Sequence, residues 1–411
     1  MPQLSDRGLA LPFSPYRKLT PYADAAKARG VHVLHLNIGQ PDIETPPTML
    51  AAVQQAQIRV LEYSPTAGYP SYRHKLAGYY QRIGMPVVAD DILVTTGGSE
   101  ALLFAFMCCF NPGDEVIIPE PFYGPYLGFA EATGVRVVPV PSYLDEGFRL
   151  PPIEELAARV TERTRAILIC NPNNPTGYVY RRDELAQLLQ LCQQHDLYLL
   201  SDEAYREFCY DAEFVSPLQL PGAAEHVVVL DTISKRYSAC GARIGAFVTK
   251  NKALYQAAFK FAQLRVSPPG LGQLFAEAAA ELPPSYFDHT RAEYRARRDL
   301  VLQRLRAMPG VECPTPSGAF YIMARLPVDS AERFAQWLLE EFSYQGRTTM
   351  ISPAAGFYAT PGAGHNEVRL AYVINQPAIN AAMDCLAAGL RAYPGRVPQP
   401  TEAEVETSQS A

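Results

Sequence analysis

Lys235 sits in the stretch Asp231-Thr232-Ile233-Ser234-Lys235-Arg236-Tyr237-Ser238-Ala239-Cys240-Gly241-Ala242-Arg243, whose residue types and spacing suit carbonyl chemistry. The apolar run from Val227 to Leu230 leads into it and reads as a buried strand. A lysine just past such a strand can be held partly out of water. Desolvation would disfavour its ammonium form and free the amine to attack a carbonyl. Arg243, with the hydroxyls of Thr232 and Ser234, could hold a phosphate. The stretch therefore points to Schiff-base chemistry on a phosphorylated aldehyde. A solvated Lys–Arg pair beside a turn would use the same residues, so the stretch alone does not decide.

Other clusters carry weaker signals. Thr95-Thr96-Gly97-Gly98-Ser99-Glu100 follows a strand and opens a helix, which points free backbone N–H groups at an anion. It has neither a GK[ST] nor a GxGxxG pattern, and any tight strand–helix turn needs glycine. Asn37-Ile38-Gly39-Gln40-Pro41-Asp42 is turn chemistry, equally a plain loop or a backbone segment beside a ligand carboxylate. Tyr63 to Arg73 is dense in tyrosine, proline and glycine and reads as an ordered loop or a dimer contact. Asn171-Pro172-Asn173-Asn174-Pro175-Thr176-Gly177 and Ser201-Asp202-Glu203-Ala204-Tyr205 each follow an apolar strand-like run.

The elements that must position these clusters alternate. Short β-branched runs from Asp91 to Leu230 are separated by helical segments, which implies a mostly parallel sheet covered on both faces. Ligands of such sheets gather at the carboxyl ends of the strands. The clusters at Gly97–Glu100, Glu120–Tyr126, Asn171–Gly177, Ser201–Tyr205 and Lys235 all fall there. After Ala246 the alternation changes to longer helices with fewer strands. The expected fold is α/β: a large domain with a mostly parallel seven-stranded sheet, plus a smaller α+β domain from the N-terminal segment and the C-terminal third. The expected boundaries are an arm at 1–45, a large domain at 46–283, a small domain at 284–395 and a disordered polar tail at 396–411.

The totals agree with this. A chain of 411 residues exceeds one ordinary core. A formal charge of −6 without a basic stripe gives no electrostatic case for nucleic acid. Eight scattered cysteines with no CxxC suggest free thiols and a reducing cytoplasm, and no metal site is expected. No signal peptide is evident and no apolar run reaches the length of a membrane span.

Taken in order, Asn171–Gly177, Ser201–Tyr205, Ser234-Lys235 and Arg243 resemble the class I/II aminotransferases, the fold-type I enzymes that use pyridoxal 5′-phosphate, in their aspartate-aminotransferase-like branch. The resemblance runs from about Asn37 to Arg369. It implies that Lys235 is the Schiff-base lysine and proton shuttle and that Asp202 binds the pyridine nitrogen. It further implies that Tyr205 and Asn174 bond the ring oxygen and that Tyr123 stacks on the ring. The phosphate would meet Gly98, Ser99 and Glu100 at the helix start, with Thr232, Ser234 and Arg243. Tyr63 would reach the phosphate of a neighbouring subunit, which implies a homodimer. Arg369, in Glu367-Val368-Arg369-Leu370, matches the clamp on the substrate α-carboxylate, which Gly39 and Asn174 would also approach. Outside the resemblance, a lone arginine in an edge strand would face solvent.

The chain also departs from the family. Ala242 replaces the tryptophan that often precedes the phosphate arginine, and Gln273 stands near the place of the arginine that binds a side-chain carboxylate. Arg265 or Arg236 could take over that task. The activity implied is transfer of an amino group between an L-amino acid, aspartate-like, and a 2-oxo acid such as 2-oxoglutarate. A β-lyase or an aminocyclopropane-carboxylate-synthase-like enzyme would share nearly all these residues. A regulatory protein of this fold would need an added DNA-binding domain, and only a short arm precedes Asn37.

Overall fold

The computed structural model describes residues 2–11 and 17–397. Of the tail expected from 396 on, Arg396 and Val397 are paired with the chain at Val328 and Pro327 instead of hanging free, and 398–411 lie outside the described residues. The chain divides into two compact units. One holds Gln40–Arg295 and Pro316–Ala319 with the described residues 2–11; the other holds residues 17–39, Ala296–Thr315 and the described chain from Phe320 on. The boundary expected at 283/284 is the start of a long helix, Pro284–Arg306, and the division falls inside that helix after Arg295.

Twelve strands are found among the described residues. They are β1 (His32–His35), β2 (Ile92–Thr95), β3 (Glu115–Glu120), β4 (Arg136–Pro141), β5 (Thr164–Cys170), β6 (Tyr198–Asp202), β7 (Val227–Thr232), β8 (Gly245–Thr249), β9 (Tyr321–Arg325), β10 (Arg347–Met350), β11 (Ser352–Pro353) and β12 (Glu367–Ala371).

The large unit is built on a seven-stranded sheet in the order β2-β8-β7-β6-β5-β3-β4. All its pairings are parallel except those of β8, which runs against both β2 and β7. Every residue of β2, β3, β7 and β8 is buried, as the continuous Val/Ile/Leu runs require of strands covered on both faces. The connecting helices begin and end where their sequences say. The Glu184 side chain accepts from the Arg181 amide at 2.8 Å at the start of helix Arg182–Gln194, and Gly134 at φ +73° closes helix Pro125–Thr133.

Two elements differ from the sequence reading. Tyr63–Arg73 is a loop only to Tyr69; Pro70 opens a helix to Arg82 whose buried Tyr72, Leu76, Ala77, Tyr79 and Tyr80 form one face. The change of pattern placed after Ala246 is strand β8, which returns beside β7 through a short connection with no covering helix.

In the small unit, β1 pairs parallel with β10, and β12 is the middle strand of an antiparallel β11-β12-β9 sheet. Helices Thr20–Ala28, Ala331–Glu340 and Gln376–Ala392 complete it.

Candidate active site

Parallel strands end on the same side, so β5, β6 and β7 deliver their carboxyl-terminal residues together. The result is a cavity of about 130 Å³ lined by Gly98, Ser99, Leu102, Tyr123, Cys170, Asn174, Asp202, Ala204, Tyr205, Thr232, Ser234, Lys235, Cys240 and Arg243. Cys170 and Asn174 come from the end of β5, and Asp202, Ala204 and Tyr205 from the end of β6. Thr232, Ser234 and Lys235 follow from β7. Lys235 is half-buried, with its Nζ 3.9 Å from Cys240 Sγ. Asn174 Nδ2 donates to the Tyr205 hydroxyl at 3.3 Å, so a phenol and an amide are presented side by side.

Asp202 is the buried charge of the cavity floor. Its Oδ2 accepts from the Tyr126 hydroxyl at 2.8 Å and its Oδ1 from the Ala204 amide at 3.1 Å. Burial pushes its carboxyl up to about 6, while those two donors favour the ionised form. A carboxyl poised there favours a cationic partner, which would restore the solvation that burial removed.

The opposite corner suits an anion. Helix Gly97–Cys109 starts there with no side-chain cap at Thr96, leaving backbone donors at its positive end. Arg243 takes a left-handed backbone, φ +53°, and its Nη1 donates to Cys240 O at 3.1 Å. The guanidinium lies so close over Gly97 that a Cβ there would stand 2.4 Å from Nη2. Gly97 also has φ +75°, so only glycine suits the position. Across the corner, the Thr232 and Ser234 hydroxyls are 2.8 Å apart.

Not every side chain singled out in the sequence lines this cavity. Glu100 turns back to accept from the Thr96 amide at 2.8 Å and pairs with Arg265 at 3.0 Å, so its carboxylate braces the helix start and does not line the cavity. Tyr63, expected at the site of a neighbouring subunit and not at this one, is 81% exposed and lines a separate depression with Thr96, Arg265 and Pro268. Of the side chains considered for a distal carboxylate, Gln273 is fully buried, accepting from the Tyr69 amide at 2.7 Å and donating to Ser64 Oγ at 2.9 Å. Arg236 is committed to Asp231 through both guanidinium arms.

Arg369 and Gly39 belong to the small unit and meet one another's surroundings there. Arg369 is buried in the middle strand, not solvent-facing, and its Nη2 donates to Asn37 O at 2.6 Å. Its guanidinium lies 4.4 Å from the Tyr321 ring centre and 4.9 Å from that of Phe357. A Cβ on Gly39 would stand 1.8 Å from the Tyr321 hydroxyl, so the backbone at 39 is packed against that phenol.

The sequence reading missed Tyr126, Cys170 and Cys240. Tyr126 is one helical turn past Tyr123, the spacing that puts two rings on one face, and their ring centres are 5.4 Å apart. Cys170 is the last residue of β5, the position that the strand-end rule favours. No signal in the residues near Cys240 separates it from a turn cysteine.

The comparisons with known proteins agree with this geometry. A profile of the family described as aminotransferase class I and II matches residues 31–375. The arginine–pyruvate transaminase AruH of Pseudomonas aeruginosa is 36% identical over 86% of this chain and 89% of its own. The aspartate/prephenate aminotransferase of Thermus thermophilus is 33% identical over 88% and 92%. Among solved structures, the Thermus thermophilus aspartate aminotransferase with maleate superposes with a TM-score of 0.87 at 31% identity, over 95% of this chain and 100% of that one. An alanine aminotransferase from Pyrococcus furiosus gives 0.87 at 28%, over 94% and 99%. With a profile covering most of its length and relatives aligned nearly end to end, the chain belongs to the class I and II aminotransferases.

Proposed function

We propose that this aminotransferase works with pyridoxal 5′-phosphate and moves an amino group between an L-amino acid and a 2-oxo acid. The observation that carries the reading is the donor set of one cavity: an amine at Lys235, a buried carboxyl at Asp202, a phenol and amide at Tyr205 and Asn174, and an anion corner at Gly98, Ser99, Thr232, Ser234 and Arg243. Each part answers one part of the cofactor, namely its aldehyde, ring nitrogen, ring oxygen and phosphate. When bound, the cofactor supplies the aldehyde and the electron sink. Asp202 holds a proton at the ring nitrogen, and Tyr126 fixes the carboxylate that does so. Tyr205 and Asn174 orient the ring through its oxygen, and Tyr123 covers a ring face. Lys235, once its Nζ is free, carries the proton removed from the substrate α-carbon. Arg369 clamps the substrate α-carboxylate with a planar guanidinium, with the backbone at Gly39 close to the same group. Tyr63 serves the site of a second copy in a homodimer. The eight thiols, all free, fit a reducing cytoplasm.

Aspartate with 2-oxoglutarate is the first substrate pair we assign. Arginine with pyruvate is the second, because the relative from Pseudomonas aeruginosa bears those names. A panel of amino acids against both oxo acids, followed as loss of the visible band of the loaded enzyme, ranks the donors. Replacement of Lys235 by alanine is expected to abolish the band and the turnover. A Lys235→Ala protein that keeps either one refutes the assignment. Release of pyruvate and ammonia without an oxo acid would replace transfer by lyase chemistry.

A further inference from the structure

Beside the cavity lies a buried ionic cluster that the chemistry above does not use. Asp231, the penultimate residue of β7, has a side chain only 1% exposed. It accepts from Arg236 Nη1 at 2.9 Å and Nη2 at 2.8 Å, from Arg206 Nη1 at 3.1 Å and from the Tyr80 hydroxyl at 2.7 Å. Arg206 in turn holds Glu203 at 3.0 Å, and Glu203 accepts from Ser216 at 2.6 Å. Both guanidiniums stack on tyrosines: Arg236 is 4.7 Å from the Tyr79 ring centre and Arg206 is 5.0 Å from that of Tyr80. The flanking guanidiniums outweigh burial and hold the Asp231 carboxyl low, so the centre stays anionic.

Buried ion pairs of this kind are poor stabilisers, because desolvation cancels much of their attraction and apolar replacements often serve as well. Their placement along the chain suggests another use. Arg236 is the residue after Lys235. Glu203 is the residue after Asp202, and Arg206 the residue after Tyr205. One carboxylate thus anchors the segment that carries the amine and the turn that carries the ring-facing groups. β6 and β7 are adjacent, with Asp202 opposite Leu230, so the anchor spans neighbouring strand ends.

We propose that Asp231, Arg236, Arg206 and Glu203 form a positioning device that sets the spacing between Lys235 and Asp202. The inference rests on the reading given under the proposed function. Asp231 is its hub: moving Arg236 turns Lys235, and moving Arg206 shifts the Asp202–Tyr205 turn. None of the four residues touches the reacting atoms.

The test uses the cofactor-loaded enzyme and the double variant Asp231→Asn/Arg236→Met, which removes one charge of each sign together and leaves Arg206 with Glu203. The thermal midpoint, kcat, KM and the pH midpoint of the visible band are measured. The expected result is a folded protein whose kcat falls about 100-fold, as a displaced catalytic group requires, with KM within about threefold and the midpoint of the band displaced. Wild-type kcat and band midpoint in a folded double variant overturn the proposal and leave a structural cluster. Should the double variant not fold, Arg236→Lys keeps the charge but loses the two-armed grip. It is expected to show the same split at about tenfold, and wild-type values there overturn the proposal equally. Failure of the underlying reading is distinguishable: the wild-type protein would show no visible band, or Lys235→Ala would stay active.

Discussion

The Asp202 carboxyl, pushed up to about 6 by burial, keeps its proton in the folded chain at pH values where the unfolded chain has lost it. Between the ordinary carboxylate value and about 6, the folded state therefore binds more protons, and the contribution of this group to stability falls as pH rises. Above that window the cofactor-free chain carries a penalty on the order of 3 kcal/mol, which a cationic ring nitrogen would offset. Asp202→Asn is accordingly expected to stabilise the cofactor-free protein at pH 8, with the gain roughly halved by pH 5. Denaturant unfolding at both values checks this; a gain that does not depend on pH would remove Asp202 as its source. Tyr126 is the residue that sequence reasoning could have found and did not. Its hydroxyl reaches Asp202 from the helix that follows β3, a contact across two strand ends. Asp202, Asn174, Tyr205 and Lys235 were easier to single out because each sits in a polar cluster directly after a buried run.

At the scale of elements, the close approach of Arg243 to Gly97 ties the helix start to the turn before β8. A methyl group at 97 collides with the guanidinium and meets an unfavourable φ of +75°. Gly97→Ala is expected to weaken pyridoxal phosphate binding by at least about tenfold through displacement of Arg243, as equilibrium titration would show. Unchanged affinity would separate Arg243 from the phosphate. Six strands of the seven-stranded sheet were legible because they are written as short apolar runs separated by helical segments. Strand β8 was not, because Gly245–Thr249 follows its partner after a short turn and lacks the intervening helix that marked the other strands. The helix from Pro70 to Arg82 was hidden by its composition. Its buried face is built largely of tyrosine, which read as loop-forming until Tyr72, Leu76 and Tyr79 were seen on one side. The Asp231 cluster was illegible for a further reason: Arg236 beside Lys235 looks like a solvated charge until Arg206 and Tyr80 converge on the same carboxylate.

At the scale of the whole molecule, Val60, Leu61 and Tyr63 are exposed together on the segment before helix Pro70–Arg82. If Tyr63 completes the site of its neighbour, inactive Tyr63→Ala and Lys235→Ala proteins should complement each other. Random re-pairing then leaves about a quarter of all sites intact, each with Lys235 from one parent and Tyr63 from the other. Activity after mixing under subunit exchange checks this, and none after demonstrated exchange would make Tyr63 irrelevant to the neighbouring site. The reversal of β8 also bears on how the site is assembled. Thr232 and Gly245 are partners across the β7–β8 pair, so Lys235 and Arg243 lie within a single hairpin-like excursion. Loops near this length close within about a microsecond, whereas Asp202 and Asn174 must await helical crossovers. One residue inserted between Lys235 and Arg243 would change the spacing of amine and guanidinium, while an insertion in the exposed stretch near Asp211 would leave both in register.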